Sequence, residues 1–465
     1  MLQTSNKYPT DLYQEQDAAH HWHPFTDSKA LNEEGSRVIT RADGIWMWDS
    51  DGNRILDGMA GLWCVNIGHG RQEISEAVQK QMAELSYYNT FFKTTHPPVV
   101  TLAKKLAEIA PGDLNHVFFC NSGSEANDTV LRLVRTYWSA LGKPTKKVVI
   151  SRHNAYHGST YAGASLGGMT AMHAQGGMPI PDIHHIAQPY WFGEGGDMSP
   201  DEFGLWAARE LERAIDEIGQ DNVAAFIGEP VQGAGGVVIP PDTYWPEIQR
   251  ICNERDILLV ADEVICGFGR LGSWFGFEHF GITPDIAPIA KGLSSGYLPI
   301  GGVLISDKVT SAMYEHAGEF THGFTYSGHP VACAAAIANL EIMENENIVG
   351  HVRDVAAPKL RREWLALSDH PLVGEARTIG LLGALELVPA KGDRSKKFDN
   401  PGTVAGICRD IAMGNGLVSR AVRDSMVISP PLVITEDEIV DMAARMRRSL
   451  DETVSELENR GLWPA

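Results

Sequence analysis

The chain has 465 residues, of which 43% are hydrophobic and 21% charged, an ordinary mixture for a large globular protein with more than one domain. Its net charge of −20 argues against nucleic acid and anionic membrane surfaces as partners. No apolar run approaches the ~20 residues of a transmembrane helix. The N-terminus lacks a signal-peptide core, and the six cysteines contain no C-x-x-C pattern. We therefore expect a cytoplasmic protein without zinc ribbons or disulfides.

The N-terminal residues 1–35 are polar and interrupted by Pro24, which predicts an arm lying on a larger body. His20, His21 and His23 stand close together there, as metal-binding histidines do. However, adjacent side chains diverge on a helix, and no cluster of acidic residues or cysteines accompanies them. We expect ordinary surface histidines and no bound metal.

Residues 44–57 predict a hairpin around Asp51-Gly52, and a helix is expected over 72–85. Four aromatic residues follow that helix within six positions: Tyr87, Tyr88, Phe91 and Phe92. Packing in the core is the first interpretation of these rings. The wall of a substrate pocket is the alternative, because pockets are commonly lined by aromatic side chains.

A second feature is an apolar strand, 117–120, that leads through Asn121-Ser122-Gly123-Ser124 into a helix predicted to begin at Glu125. A turn of small residues before a helix exposes backbone N–H groups at the positive helix end, which attracts anions such as phosphate. Gly123 permits close approach of the backbone, and the hydroxyl of Ser124 adds a donor. Serine and asparagine also serve simply as helix N-caps, so this feature alone does not establish a phosphate site.

Two further apolar strands end in polar residues. Tyr156 and His157 follow strand 147–150, and an aromatic ring at that point can stack on a flat cofactor. Glu229 follows strand 223–227. Because such strands alternate with helices and polar residues gather at their carboxyl ends, the sequence predicts a doubly wound, mainly parallel α/β sheet with a ligand crevice at that edge.

The strand 257–261 is followed directly by Asp262, and Lys291 lies further on, between apolar residues and a glycine-rich turn. Apolar surroundings disfavour the charged form of a lysine, so its amine becomes available as a nucleophile for a carbonyl. An acid at the end of a buried strand and such a lysine are the minimum needed to hold pyridoxal phosphate. The lysine would bond the cofactor covalently, and the acid would face its pyridinium nitrogen.

Residues 267–272 fit the dinucleotide-binding pattern G-x-G-x-x-G. That pattern requires a helix to begin at the glycines, whereas this chain continues with an aromatic, glycine-interrupted stretch over 273–277. We expect no dinucleotide site, and a nicotinamide dehydrogenase is the less favoured interpretation.

Five segments together resemble class III pyridoxal-phosphate aminotransferases: 121–127, 156–158, 229–233, 262–270 and 290–292. Within that family the chain is most similar to ω-transaminases that move amino groups from amines to pyruvate, including putrescine–pyruvate and aromatic-amine–pyruvate enzymes. The resemblance covers nearly the whole chain, from His23 to Leu432. It implies an enzyme that uses pyridoxal 5′-phosphate to transfer an amino group from a primary amine or diamine to pyruvate, giving an aldehyde or ketone and alanine.

The resemblance also implies roles for individual residues. Lys291 would bind the cofactor and move protons, and Asp262 would keep the ring nitrogen protonated. The other cofactor-binding residues would be Gly123, Ser124, Tyr156, His157, Glu229, Val264 and, from the partner subunit, Thr325. The substrate-binding residues would be Phe25, Trp63, Phe91, Phe92, Tyr156, Ala234 and Arg420. Arg420 would be a mobile arginine that turns toward the carboxylate of pyruvate, and Arg423 is the nearby alternative.

The implied architecture is a large α/β domain over 76–330 and a smaller α+β domain built from 1–75 and 331–465. The implied assembly is a homodimer with active sites shared between subunits, or a tetramer. Other interpretations stay open because a fold does not fix a function. They are β-alanine or taurine as the donor, another pyridoxal-phosphate reaction such as decarboxylation or amino-group migration, and a non-enzymatic scaffold.

Overall fold

The computed structural model describes residues 8–463. Fourteen strands lie in that range: β1 (Ile39–Asp43), β2 (Trp46–Asp49), β3 (Arg54–Leu56), β4 (His116–Cys120), β5 (Val148–Arg152), β6 (Ile183–Ile186), β7 (Val223–Gly228), β8 (Leu258–Ala261), β9 (Ile286–Ile289), β10 (Gly301–Ile305), β11 (Val373–Ile379), β12 (Leu382–Leu387), β13 (Arg420–Val422) and β14 (Ser425–Ile428).

The α-helices of the same range are α1 (Thr10–His20), α2 (Ser28–Glu34), α3 (Ala60–Trp63), α4 (Gln72–Glu84), α5 (Pro97–Ile109), α6 (Gly123–Ala140), α7 (Tyr161–Leu166), α8 (Thr170–His173), α9 (Trp191–Glu194), α10 (Pro200–Ile218), α11 (Tyr244–Glu254), α12 (Gly276–His279), α13 (Asp307–Ala312), α14 (Pro330–Asn345), α15 (Ile348–His351), α16 (Ala357–Leu365), α17 (Thr403–Gly414) and α18 (Glu436–Asn459).

The largest sheet has seven strands in the order β4-β10-β9-β8-β7-β5-β6. The strands from β9 to β6 run parallel to one another, whereas β10 is antiparallel to both of its neighbours. Leu258 and Val260 of β8 enter an apolar cluster with α6, while Leu259 enters the cluster that contains α10 and α11. Helices therefore cover both faces, which is why this strand is apolar at every position. The predicted doubly wound, mainly parallel α/β architecture is confirmed.

Two antiparallel sheets come from the chain ends. The first has the order β1-β2-β3 and contains the predicted hairpin, and the second has the order β11-β12-β14-β13. The two ends meet where the N–H of Leu56 donates to the carbonyl of Gly416 and the N–H of Val418 donates back to Leu56, each at 2.9 Å. A smaller unit assembled from both ends needs such a junction. The boundaries 1–75, 76–330 and 331–465 stay a prediction.

The predicted N-terminal arm contains helices α1 and α2. The side chain of Asp27 begins α2 by accepting the N–H groups of Lys29 and Ala30. Neither helix has a buried residue, so both lie on the surface. Residues 1–7 of the predicted arm lie outside the described residues.

The glycine pattern at 267–272 lies in turns, and the next helix, α12, begins only at Gly276. This agrees with the expectation that these glycines do not form a dinucleotide site. All six cysteines are free thiols. Within the part of the chain that the structure describes, no helix combines the length and the hydropathy needed to cross a membrane.

Candidate active site

A cavity of about 320 Å³ opens where β4, β5, β7, β8 and β9 end. These strands share a direction, because β4 is antiparallel to β10 and β10 is antiparallel to β9. Their carboxyl ends therefore meet at one edge of the sheet. The cavity brings together the predicted catalytic residues and every predicted cofactor residue except Thr325: Gly123, Ser124, Tyr156, His157, Glu229, Asp262, Val264 and Lys291.

Lys291 follows β9 and has a left-handed backbone conformation, with φ of 47°. That conformation costs a residue with a side chain roughly 1–3 kcal/mol, so its surroundings must hold it. The side-chain amide of Asn339 donates to the carbonyl oxygens of Gly292 at 2.9 Å and Leu293 at 3.0 Å. A Cβ on Gly292 would lie 2.4 Å from Nδ2 of Asn66, so only glycine fits there. This turn fixes the direction in which the Lys291 side chain leaves the sheet.

The amine of Lys291 lies in surroundings that favour its neutral form. Burial lowers the pKa of Lys291, although the nearby carboxylate of Asp262 acts in the opposite direction. A neutral amine can attack a carbonyl carbon and can accept a proton, whereas an ammonium group can do neither.

Asp262 lies at the end of β8, and both oxygens of its carboxylate accept hydrogen bonds. Its Oδ2 accepts from Nδ1 of His157 at 2.6 Å and from Nδ2 of Asn127 at 2.9 Å, and its Oδ1 accepts from the N–H of Val264 at 3.1 Å. Burial raises the pKa of Asp262, but the hydrogen bonds from His157 and Asn127 outweigh burial and bring the pKa below its usual range. The carboxylate stays charged at neutral pH. Since a carboxylate only accepts, His157 donates through Nδ1.

The anion-binding loop is formed more tightly than the sequence predicted. Helix α6 begins at Gly123, two residues earlier than expected, because the hydroxyl of Ser122 caps its first turn. A Cβ on Gly123 would lie 2.9 Å from the side chain of Val264, and a Cβ on Gly158 would lie 2.7 Å from Cα of Ser124. The two glycines let the loop close around the positive end of an 18-residue helix, which favours a phosphate.

The residues of this cavity fit pyridoxal 5′-phosphate. The glycine cradle at the start of α6 suits its phosphate, the charged carboxylate of Asp262 suits its ring nitrogen, and the amine of Lys291 suits its carbonyl carbon. Val264 and Tyr156 also line the cavity that holds the glycine cradle, Asp262 and Lys291.

Glu229 holds the loop that carries Tyr156. Its Oε1 accepts the N–H of Tyr156 at 3.1 Å, and its Oε2 accepts the N–H of Gly233 at 3.0 Å. Burial raises the pKa of Glu229, and the opposing charges of His157 and Arg152 reduce that rise. Arg152 also donates to the backbone carbonyl of Glu229 at 2.6 Å, so this acid is fixed from both its backbone and its side chain.

The structure separates the two arginines that the sequence left as alternatives. Arg420 begins β13 and lies close enough to Lys291 to contribute to the lowered pKa of that amine. Burial lowers the pKa of Arg420 itself, and among the described residues no acceptor pairs with its guanidinium. Arg423 instead donates to the side-chain oxygen of Asn154 and lines a different cavity.

Three predicted substrate residues lie outside the lining of the cavity. The ring of Phe25 stands 6.4 Å from the ring of Tyr156, and 76% of Phe25 is exposed, as expected at an entrance. Trp63 is buried in an apolar cluster with Ile265 and does not line the cavity. Ala234 lies in the tight turn after Glu229. Their roles toward a substrate stay predictions.

Phe91, Phe92 and Thr325 lie apart from the cavity, on another part of the surface. The hydroxyl of Tyr87 donates to the carbonyl of Thr325 at 2.7 Å, and Phe91 packs against Gly323. Phe92 is 90% exposed, Tyr88 50% and Tyr87 37%, so the interpretation of this aromatic group as core is wrong for these three residues. Exposed apolar rings are typical of a surface that binds another protein. The predicted contacts of Phe91 and Phe92 with substrate and of Thr325 with cofactor stay predictions.

The structure also corrects the argument about the N-terminal histidines. Asp17 lies on α1, and its carboxylate contacts Nδ1 of His21 at 3.0 Å and Nε2 of His23 at 2.8 Å. The sequence argument looked for a cluster of acids and overlooked one aspartate four residues before a histidine. That spacing places two side chains on the same face of a helix.

Comparison with known proteins agrees with this geometry. The family model "Aminotransferase class-III" matches residues 29–450. The putrescine–pyruvate aminotransferase of Pseudomonas aeruginosa is 59% identical over 436 residues, which cover 94% of this chain and 95% of that protein.

Two solved structures share the whole fold. An (S)-enantioselective omega-transaminase from Thermomicrobium roseum has a TM-score of 0.93 at 40% identity, covering 97% of this chain and 100% of that one. The omega transaminase of Pseudomonas jessenii in complex with PMP has a TM-score of 0.93 at 41% identity, covering 96% of this chain and 99% of that one. The chain therefore belongs to the class-III aminotransferases, a family that uses pyridoxal 5′-phosphate.

Proposed function

We propose that this enzyme transfers the amino group of a primary amine or a diamine such as putrescine to pyruvate, in the cytoplasm, giving an aldehyde or ketone and alanine. The observation that carries this proposal is the cavity that combines Lys291, Asp262 and the glycine cradle of α6. The choice of amine and pyruvate is supported by the relative named putrescine–pyruvate aminotransferase, which is 59% identical.

When bound, pyridoxal phosphate supplies a carbonyl carbon that reacts with amines and a ring that takes up electron density. The protein contributes the groups that hold charge and move protons. The neutral amine of Lys291 would take a proton from the substrate carbon that bears the nitrogen and return it to the carbon on the other side of that nitrogen. The charge of Asp262 favours a protonated ring nitrogen, because an opposite charge nearby raises the pKa of that nitrogen.

The two substrates make opposite demands on one pocket. Pyruvate brings a carboxylate, which needs a cation, whereas the tail of an amine is apolar or cationic and is disfavoured next to a buried cation. Arg420 suits both demands because its guanidinium is partly buried near Lys291 and has no acceptor among the described residues. Its planar fork can bind a carboxylate through two hydrogen bonds, and its long side chain can withdraw when an amine binds.

Arg420→Ala should therefore raise the KM for pyruvate, with a loss of about 2–4 kcal/mol typical of breaking a charged pair. The half-reaction with an amine that has no carboxylate should change little. Rapid mixing of each substrate with the appropriate form of the enzyme would measure the two half-reactions separately.

Arg423→Ala is the matched control for this substitution. Arg423 is held by Asn154 outside the cavity, so its loss should leave the KM for pyruvate unchanged. If the KM for pyruvate rose in Arg423→Ala and not in Arg420→Ala, Arg423 would be the residue that binds the carboxylate. Equal damage to both half-reactions in Arg420→Ala would mean that Arg420 is structural.

The donor itself is tested with a panel of diamines, aryl amines, β-alanine and taurine, each supplied with pyruvate. Alanine formed fastest from the diamines or other amines without a carboxylate would support the proposal. Faster alanine formation from β-alanine or taurine would assign those donors instead. Carbon dioxide or a rearranged amine without alanine would mean a different pyridoxal-phosphate reaction.

We further propose that two chains form a dimer in which each active site includes Thr325 of the partner subunit. Thr325 does not line the cavity of its own chain, and it adjoins the exposed aromatic side chains of Tyr87 and Tyr326. An exposed apolar surface of this kind supports burial against a second copy. The proposal also includes the division into a large domain, 76–330, and a small domain from both chain ends.

Shared sites predict a difference between two mixed dimers. When a Lys291→Ala chain pairs with a Thr325→Ala chain, one site carries both substitutions and the other carries neither, so activity should be recovered. When a Lys291→Ala/Thr325→Ala chain pairs with the unaltered chain, each site carries one substitution, so the mixed dimer should be impaired.

The measurement uses differently tagged chains, purified as mixed dimers and assayed at limiting cofactor, where the loss of a phosphate contact has its full effect. Sites contained within one chain would reverse the order of the two activities. The double-substituted pairing would then keep one intact site, and the other pairing would keep none.

A further inference from the structure

Three side chains with metal-binding atoms meet at the end of α1. Asp17 Oδ1 lies 3.0 Å from Nδ1 of His21 and 2.9 Å from Nε2 of His23, whose nitrogen is also 2.8 Å from Oδ2. One potential ligand atom from each of the three residues lies within 4.8 Å of the other two. Two imidazoles and a carboxylate are a ligand set that proteins use for zinc and other first-row transition metals.

The local backbone explains why the three side chains converge. Asp17 and His21 are four residues apart, so they lie on one face where α1 ends at His20. The backbone N–H of His21 donates to the carbonyl of Asp17 at 2.9 Å, and His21 itself is extended, with φ of −106° and ψ of 122°. This change of direction brings His23 back, with its ring centroid 4.1 Å from that of His21.

The surroundings of the cluster suit a cation. The whole chain carries a net charge of −20, which attracts cations. The side chain of His21 is 59% exposed, which leaves one side of the cluster open for water ligands. None of the three residues lines the proposed active site, so the cluster is a separate site.

We propose that Asp17, His21 and His23 bind a divalent transition-metal ion such as Zn²⁺. Ligands at zinc bond lengths of 2.0–2.2 Å in a tetrahedral arrangement stand about 3.3 Å apart. Each histidine nitrogen now stands 2.8–3.0 Å from a carboxylate oxygen of Asp17, and the three ligand atoms all lie within 4.8 Å of one another, so an adjustment of these side chains brings them to that spacing. Three protein ligands and one water complete the coordination. The ion ties the end of α1 to the segment that carries Phe25 at the rim of the cavity.

Calorimetric titration of the untagged holoenzyme with Zn²⁺ tests the site. His21→Ala is the most informative variant, because it removes an exposed ligand and leaves the contact between Asp17 and His23 in place. Losing even an indirect partner of a metal ligand weakens binding roughly 10–100-fold, so losing His21 should weaken Zn²⁺ binding at least that much. Asp17→Asn should have a similar effect. His20→Ala is the matched control, because His20 is the neighbouring exposed histidine outside the cluster, and it should bind Zn²⁺ as the unaltered protein does.

Trp22 provides a second measurement, since it stands between His21 and His23 and is 86% exposed. Ni²⁺ bound at the cluster should quench the fluorescence of this indole, and Trp22→Phe should remove the quenched component while Zn²⁺ affinity persists. If His21→Ala, Asp17→Asn and His20→Ala all bind Zn²⁺ with the affinity of the unaltered protein, the proposal is overturned. Absence of an ion bound at one equivalent per chain would overturn it as well, and the cluster would then be only a hydrogen-bonded end of α1.

Discussion

Lys291→Ala should lose transamination activity by several orders of magnitude while the protein stays folded. The loss of positioned proton transfer alone is worth about 10²–10⁴-fold, and the covalent attachment of the cofactor is lost in addition. Both half-reactions need the same amine, so both should slow. The fold should persist because alanine removes a buried amine whose burial already disfavours its charge. Single-turnover rates for amine and for pyruvate, with circular dichroism on the same samples, would measure both claims.

A covalent label separates the chemical role of Lys291 from a structural one. Borohydride reduction of the holoenzyme should attach the cofactor to Lys291, and Lys291→Ala should show no increase in mass. Lys146→Ala is the matched control, since burial also lowers the pKa of Lys146 but its amine contacts Asp256 away from the cavity. Near-normal turnover by Lys291→Ala, or labelling of another lysine, would refute this assignment.

The central sheet could be predicted because its signals are local. A strand such as β8 is covered on both faces, so its sequence is an uninterrupted apolar run. The run ends at the polar residue Asp262. Glycines that permit close approach of two segments, such as Gly123 and Gly158, can also be recognised in the sequence, because glycine is the residue type that such contacts require. These glycines belong to the segments on which the family resemblance rests. The resemblance implies roles for individual residues, which hydrophobic periodicity alone cannot do.

Residues that act through distant contacts could not be predicted in this way. Asn127 lies one turn into α6 and donates to Asp262, 135 residues further along the chain. Arg152 ends β5, is completely buried and donates to the backbone carbonyl of Glu229. A lone polar residue in a helix or strand gives no sign of its partner, because the partner is chosen by the packing of the sheet. The exposure of Phe92 could not be predicted for another reason: aromatic residues are common both in cores and on surfaces that bind other proteins.

The hydrogen bonds around Asp262 explain what a substitution there would change. Oδ2 accepts from both His157 and Asn127, so an asparagine at this position would place its oxygen toward those two donors. Its amide group would then replace Oδ1, next to the N–H of Val264 and on the side of the cavity. The shape would be kept, but the negative charge would be lost and a donor would stand where an acceptor had been.

Asp262→Asn should therefore retain part of its cofactor binding while proton abstraction from the substrate slows about 10²–10³-fold, the range found when one stabilising electrostatic partner is removed. Single-turnover measurements with a saturating amine would isolate that step. Glu263→Gln is the matched control: burial raises the pKa of Glu263 to about 8, so this neighbouring acid is mostly neutral at pH 7, and it accepts the N–H groups of Gly276 and Phe277. Glu263→Gln should keep the rate, because it removes little charge and none from the cavity. An unchanged rate in Asp262→Asn, or equal slowing in both variants, would mean that the charge of Asp262 does not drive proton abstraction.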